Sequence, residues 1–382
     1  MELLFGVIVG LFILVFLVVL HELGHAIAAR RNGVVVEEFG IGFPPKAWSK
    51  KLKNGVEFSL NWLPLGGFVK LQGEHDAATK KGDYGAASFW VKTKILLAGV
   101  FINWVTAAVL LTVLAVTGLP KVLPNQFSVQ GDTSEVSQLV KLTSVGEGSS
   151  AQKAGLKKGD EIVQFDGQSV ASPQSLIDQT KVNAGKSVDV TYKRDGVEQR
   201  TTVSLRDNND DGEGYLGVGS GQMATTKSTW SAPVVGVVVT GQLTLETLKG
   251  LGSLVGNLFT GLASQLSGDG ATREKGSKEL NAAGDSVAGP IGILGVIFPA
   301  AQQAGLTQLV LLTAIISLTL AVMNVLPIPA LDGGRWFTMA AFRLFKKKLT
   351  KEREEKIQTI GFLTLMALVV VVTFADVGKL IK

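Results

Sequence analysis

Residues 3–25 read LLFGVIVGLFILVFLVVLHELGH. The 18 residues from Leu3 to Leu20 are uncharged, close to the roughly 20 helical residues that cross a hydrocarbon core about 30 Å thick. The run continues into His21, Glu22 and His25, and ionisable groups at membrane depth are costly unless they serve a function. Residues i and i+4 share one face of a helix, so both imidazoles of this H-E-x-x-H pattern can reach a single zinc ion while Glu22 turns toward the metal's water as general base. A cleaved leader is the bland alternative, because Ala26-Ile27-Ala28 resembles a cleavage site. Two features oppose it: no Lys or Arg precedes the run, and its 18 residues exceed an ordinary leader core.

The rest of the chain agrees with a membrane setting. Over 382 residues, 46% are hydrophobic and 18% charged, with a mean hydropathy of +0.31, too apolar for an ordinary soluble protein. This excludes a disordered or collagen-like chain. Cysteine is absent, which removes disulfides, thiolate nucleophiles and Cys-containing metal sites. The net charge of +5 reads as a topology signal, so no nucleic-acid partner is expected.

Three further uncharged stretches match the first: Ile95–Leu119, Leu306–Leu331 and Ile357–Ala375. The expected fold is a polytopic α-helical membrane protein with four transmembrane helices, at about 3–29, 95–119, 306–331 and 357–375. Its two half-cores are 1–119 and 306–382. Arg30–Lys94 holds eleven Lys/Arg against six Asp/Glu, and Arg343–Lys356 holds seven against three, so both loops are expected on the cytoplasmic side. The termini then lie outside. Within 230–305, the apolar residues of Val234–Leu262 come close to helical spacing, which suggests an amphipathic segment on the membrane surface. Gly252 and Gly256 have a spacing that permits close helix packing, and the polar Ser267–Ser286 reads as a loop.

Between the half-cores, 126–220 changes character. β-rich runs Glu161–Phe165, Ser187–Tyr192 and Gln199–Leu205 are separated by Asp166-Gly167 and Asp195-Gly196, which read as hairpin turns, and Pro173–Thr180 has a helical pattern. This α+β domain, with its string Ser150–Gly167, resembles a PDZ domain of the kind attached to bacterial proteases. The resemblance makes Tyr215, Leu216, Gly217 and Val218 the strand beside a bound peptide or C-terminus. A plain spacer or steric gate is the alternative.

A catalytic zinc needs a third protein ligand and an open position. Without Cys, and with His75 in the polar stretch Gln72–Gly85 reading as solvated, a carboxylate is the natural choice. Asp332 ends the third apolar run, 307 residues beyond His25. Pro327 and Pro329 just before it remove backbone donors and should bend or unwind the helix there. The two basic loops put His25 and Asp332 on the same side.

The H-E-x-x-H helix, the N-x-x-P-x-P-x-L-D-G motif at 324–333 and the exported PDZ-like domain together resemble the site-2 protease family of intramembrane zinc metalloproteases, of the regulator of sigma-E protease type in a single-PDZ form. The resemblance implies one Zn2+ per chain held by His21, His25 and Asp332, with Glu22 as base. It also implies Asn324 at the substrate or transition state and Pro327 and Pro329 in the same element. Gly66 and Gly67 would belong to a membrane-associated β-hairpin, about 34–74, that pairs with unwound substrate; Val56–Leu60 and Phe68–Leu71 read independently as strands around a Pro/Gly turn. Substrates would be single-pass membrane proteins cut within the bilayer, of anti-sigma-factor or signal-peptide-remnant type. The location implied is the bacterial inner membrane, with the PDZ domain extracytoplasmic and the active site toward the cytoplasm. Two departures stand out: there is room for one PDZ domain where the sigma-E enzyme has two, and Arg335 stands where that group often has His. Gly289-Pro290 matches a further family element of no derivable role. The rival classes are a non-catalytic zinc-containing PDZ membrane scaffold and a transporter, the latter disfavoured by the lack of an internal repeat.

Overall fold

The apolar run and its His-Glu tail form one uninterrupted helix, α1 (Glu2–Arg31). The computed structural model describes residues 2–137, 139–194, 196–209, 214–222, 224–267, 269–285 and 287–381. They divide into two units, Met1–Leu114 with Ala232–Lys382, and Ala115–Ser231.

In the first unit, α1 is followed by two long bent strands, β1 (Val36–Lys51) and β2 (Glu57–Leu71), and by α2 (Phe89–Thr117). Helix α2 runs antiparallel to α1 at close range, and a Cβ on Gly24 would lie 2.7 Å from the Ala98 carbonyl oxygen. The two strands pair antiparallel as a hairpin within the expected 34–74, but not around the Pro/Gly turn. Val56–Leu60 and Phe68–Leu71 do not pair around a turn; Phe39, Gly40 and Ile41 of β1 lie between them, pairing with Phe58, Ser59 and Leu60 on one side and with Val69, Phe68 and Gly67 on the other. The left-handed Gly66 (φ 79°) turns β2 at its corner, so both halves reach the same stretch of β1.

The second unit holds a sheet made of β3 (Val140–Val145), β4 (Glu161–Phe165), β5 (Ser187–Arg194), β6 (Val197–Ser204) and β7 (Val218–Gly221) in the order β7-β3-β4-β5-β6, with Gln168–Ser169 added beside β4. Asp166 (φ 51°) and Gly167 (φ 76°) both have positive φ, as a tight hairpin turn requires. Asp195 of the other expected turn lies outside the described residues, and β5 and β6 pair up to Arg194 and Val197 on either side of it. Helix α3 (Pro173–Val182) starts on Ser172, whose hydroxyl accepts from the Ser175 amide. Val140, Leu142, Ile162, Phe165 and Val190 are fully buried in the core. Arg194 donates two 2.7 Å hydrogen bonds to the buried Asp160 carboxylate.

Back in the first unit, α4 (Ala232–Gln265) and α5 (Gly270–Asp285) form a helical pair. By length and composition α4 joins Leu3–Arg31, Phe89–Thr117, Leu306–Val325 and Lys351–Lys379 to make five helices among the described residues apolar enough to cross a membrane, one more than the four expected. Helix α5 corrects the expected loop. Asp269 accepts from the Thr272 amide at its start, Glu274 and Lys278 pair one turn apart, and a Cβ on Gly276 would lie 2.8 Å from the Gly261 carbonyl oxygen. Local capping and small-residue contact thus offset its polarity. Gly252 and Gly256 have nothing within 4 Å and do not make the close packing their spacing permits.

The chain continues through α6 (Pro290–Ala304), α7 (Leu306–Val325), α8 (Asp332–Leu344) and α9 (Lys351–Ile381). Gly289-Pro290 now has a role: the buried Asp376 carboxylate of α9 accepts from the Gly289 and Gly292 amides and caps α6. Phe298 and Pro299 of α6 pack on α1, where a Cβ on Gly10 or Gly6 would lie 2.6 Å away.

Replacing the fully buried Phe165 with alanine should destabilise the second unit by about 3–5 kcal/mol. Urea-dependent protease sensitivity of sites in 126–220 reads this out; an unchanged midpoint would contradict the core assignment.

Candidate metal centre and active site

Helix α1 places His21 and His25 one turn apart, and the chain returns from residue 332 to meet them. His21 Nε2 lies 3.0 Å and His25 Nε2 3.3 Å from Asp332 Oδ2, and the two Nε2 atoms are 3.1 Å apart. All three ligand atoms fall within 4.8 Å of one another, the one such group found among the described residues. Two imidazole nitrogens and a carboxylate form a zinc donor set that leaves a position open. Helix α2 makes the room: a Cβ on Gly99 would lie 2.5 Å from His25 Nε2 and 2.7 Å from His21 Nε2.

Asp332 reaches the histidines because α7 stops. After Val325, Leu326 is extended (ψ 153°), and Pro327 and Pro329 carry the chain through a turn to the start of α8. A Cβ on Gly333 would lie 2.2 Å from the Val325 carbonyl oxygen, and one on Gly334 would lie 1.9 Å from that of Ile328. These two glycines let the turn fold onto the helix it introduces. Ala330 takes a left-handed φ of 79°, and its amide donates to Gln358 of α9 at 2.6 Å. Asp332 is the first residue of α8, where the helix dipole favours a carboxylate.

The other expected site residues divide. Gly67 stands against α1, where a Cβ would meet Val18 Cγ1 at 3.4 Å and Glu22 Cγ at 3.5 Å. Phe68, Val69 and Glu74 line a cavity of about 200 Å³ with Glu22, His25 and Asp332. Gly66 turns the corner beside Phe43 instead. The Asn324 amide donates to Leu320 in its own helix, 3.0 Å away. Pro329 packs on Gly361 of α9. His75, expected to be solvated, is half-buried, its Nδ1 has no hydrogen-bond partner, and it stands outside the His-Asp group.

The sequence marks Arg335 as a departure from the family but not what it does. Arg335 is the hub of a network on the side of the basic loops: it bonds Glu74 Oε1 (2.8 Å) and Glu354 Oε1 (3.1 Å) and lies 4.7 Å over the Tyr84 ring. Burial pulls its pKa down, but Tyr84, Glu74 and Glu354 outweigh burial and raise it above its ordinary value. Burial pushes the Tyr84 phenol up. The ion pairs tie α8, and so Asp332, to the loop after β2 and to α9. Gly99 and Asn103 of α2 carry no motif of their own; a polar residue four positions beyond a glycine in an apolar run is the one signal the sequence offers.

In the second unit, Leu176, Ile177 and Thr180 of α3 face Tyr215, Leu216, Gly217 and Val218 across a groove of about 340 Å³. The strand begins only at Val218. Tyr215–Gly217 form the bend before it, with Gly217 at φ 71°, which corrects the expectation of a strand over all four. Strand β7 is at the edge of its sheet.

A His-His-Asp group beside a glutamate at the end of an apolar helix has the donor set and the acid–base group that a metalloprotease in a membrane needs. The chain belongs to peptidase family M50, whose model matches residues 9–368. A Clostridium perfringens protein with a zinc metalloprotease name is 31% identical over 361 residues, covering 94% of this chain and 95% of its own. The regulator of sigma-W protease RasP of Bacillus subtilis is 27% identical over 452 aligned positions, with 97% and 98% covered, and the zinc metalloprotease RasP of Geobacillus kaustophilus is 27% identical, with 96% and 97% covered. The PDZ domain of an SdrC-like protein from Listeria monocytogenes is 24% identical, covering 25% of this chain and 93% of its own, with a TM-score of 0.20. The protein is a zinc metalloendopeptidase with several apolar helices, a multi-pass membrane protein. The scaffold alternative is not favoured.

Gly99→Ala should lower the zinc content of the purified protein several-fold, because the added methyl falls where the imidazoles stand. Metal analysis showing one zinc per chain in this variant would contradict the packing described.

Proposed function

We propose that the chain cleaves single-pass membrane proteins within their transmembrane segments, in regulated proteolysis of anti-sigma-factor or signal-peptide-remnant type, with His21, His25 and Asp332 holding the zinc. The meeting of these side chains next to Glu22 and Gly67 carries the reading. A relative named regulator of sigma-W protease supports the sigma-factor link.

Bound there, zinc supplies Lewis acidity and an acidified water. Glu22 takes the proton of the attacking water on its carboxylate and delivers it to the leaving amine. A transmembrane helix shields its own amides, so substrate must unwind, and the Gly67–Leu71 part of β2 pairs with β1 on one side and offers its other edge as replacement hydrogen-bond partner. Gly67 lets that backbone approach Glu22. Asn324 serves the oxyanion, for which its amide must leave Leu320. The Arg335 network holds α8 in register with this edge. The groove between α3 and β7 reads a peptide or new C-terminus by strand addition, or the domain bars bulky substrates.

The termini and 126–220 lie outside and the metal centre toward the cytoplasm, with α4 set among the spans rather than on the membrane surface, since Trp104 of α2 donates to Thr244 at 3.2 Å and Leu243 and Leu251 pack beside Ala107, Leu318 and Val322. What supports this orientation is where the stretch from α4 to α6 begins and ends. A Cβ on Gly236 would lie 2.1 Å from Thr112 Oγ1 near the C-terminal end of α2, and the chain is back at the N-terminal end of α1 by Phe298 and Pro299. Because α1 and α2 are antiparallel, these are the same side. The excursion makes no net crossing.

Glu22→Gln should keep its zinc and lose cleavage of a reconstituted single-pass substrate by at least about 100-fold, the low end for a general base. Asp332→Ala should lose both zinc and cleavage. Undiminished cleavage by Glu22→Gln would remove the assignment.

A further inference from the structure

A neutral imidazole carries one proton, so a histidine that presents Nε2 as a lone pair to a metal carries its hydrogen on Nδ1 and needs an acceptor there. The two histidines of this site meet that need differently. His25 Nδ1 lies 2.8 Å from the Ile95 backbone carbonyl oxygen, which fixes its metal-binding tautomer. His21 Nδ1 has the side chain of Asn103, whose amide nitrogen is 3.4 Å away. Asn103 is fully buried, and its Oδ1 has no hydrogen-bond partner.

Ile95, Gly99 and Asn103 recur every four residues along α2 and form one stripe against the two histidines. Ile95 serves His25 through its carbonyl, Gly99 leaves the space for both rings, and Asn103 stands at His21. With its NH2 toward Nδ1, the Asn103 amide donates and places the ring proton on Nε2, the tautomer that cannot ligate. A half-turn of the amide exchanges the NH2 for the unpartnered Oδ1, which accepts from Nδ1–H and frees the Nε2 lone pair. The backbone of the same residue is anchored, since the buried Ser317 hydroxyl of α7 donates to the Asn103 carbonyl oxygen at 2.8 Å. The side chain is thus held at His21 by the helix that leads to Asp332.

We propose that Asn103 is the positioning residue that selects the metal-binding tautomer of His21, by turning its side-chain carbonyl to Nδ1–H. The proposal rests on the reading of His21 as a zinc ligand. Unlike the Ile95 carbonyl, this acceptor can be removed by substitution.

The test is zinc affinity of the full-length protein in detergent, measured by competition with a chromophoric chelator for the wild type, Asn103→Leu, Asn103→Asp and His21→Ala. Asn103→Leu keeps the branching and heavy-atom count of the side chain and removes the acceptor, and should weaken zinc about 10–100-fold, as loss of a partner behind a metal ligand does. Asn103→Asp restores an acceptor and should bind within about threefold of wild type or more tightly. Wild-type affinity in Asn103→Leu, or an equal loss in both variants, overturns the proposal. Should Asn103→Leu fail to fold, Asn103→Asp decides alone: a loss above tenfold overturns it, and retained affinity supports it. His21→Ala separates the two claims, because zinc binding undiminished there removes the ligand assignment itself, whatever Asn103 does.

Discussion

Three side-chain atoms brought within 4.8 Å of one another, from residues 21, 25 and 332, are the constraint on which the rest of the membrane unit depends. Two imidazoles and a carboxylate are costly in an apolar interior unless they are paired or hold a cation. Much of the neighbouring structure serves their approach. Helix α2 carries a glycine where a methyl would strike the imidazoles, α7 ends in a proline turn, and two glycines let that turn fold onto α8. Arg335, paired with Glu74 and Glu354, then locks α8 to the loop after β2 and to α9. An arginine there does what a shorter histidine would not, since its planar fork reaches two carboxylates at once.

What was legible in the sequence follows from how local each feature is. The H-E-x-x-H helix, the break at Pro327 and Pro329, the Asp166-Gly167 turn and α3 depend on neighbours a few residues away, and each has a short-range signature. The pairing of β2 is not legible in the sequence because strand partners are set by long-range packing: Phe39–Ile41 inserts between two segments that the turn residues alone would join. Helix α5 reads as a loop from sequence because its polarity hides the small residues, Gly261 and Gly276, that let it lie against α4. Asn103, Gly99 and Arg335 are single residues whose meaning appears only when a distant element arrives beside them.

The site has the asymmetry that peptide hydrolysis requires. On one side stand the donors and Glu22, and on the other a strand edge with a side-chain-free residue, Gly67, at the closest approach. A zinc site of purely structural purpose closes on four protein ligands, whereas here three candidate ligands converge next to the Glu22 carboxylate and a cavity lined by strand residues. The second unit also leaves a strand, β7, at the edge of its sheet, with a groove between it and α3.

The central claim is that zinc-dependent cleavage occurs inside the membrane segment of the substrate. It is tested most directly by mass-spectrometric mapping of the products that purified full-length enzyme makes from a reconstituted single-pass protein, before and after zinc is stripped and restored. The account predicts a cut between residues of the substrate's transmembrane segment, lost with the metal and regained with it. A cut confined to the substrate's aqueous loops, or one that persists without zinc, would contradict it.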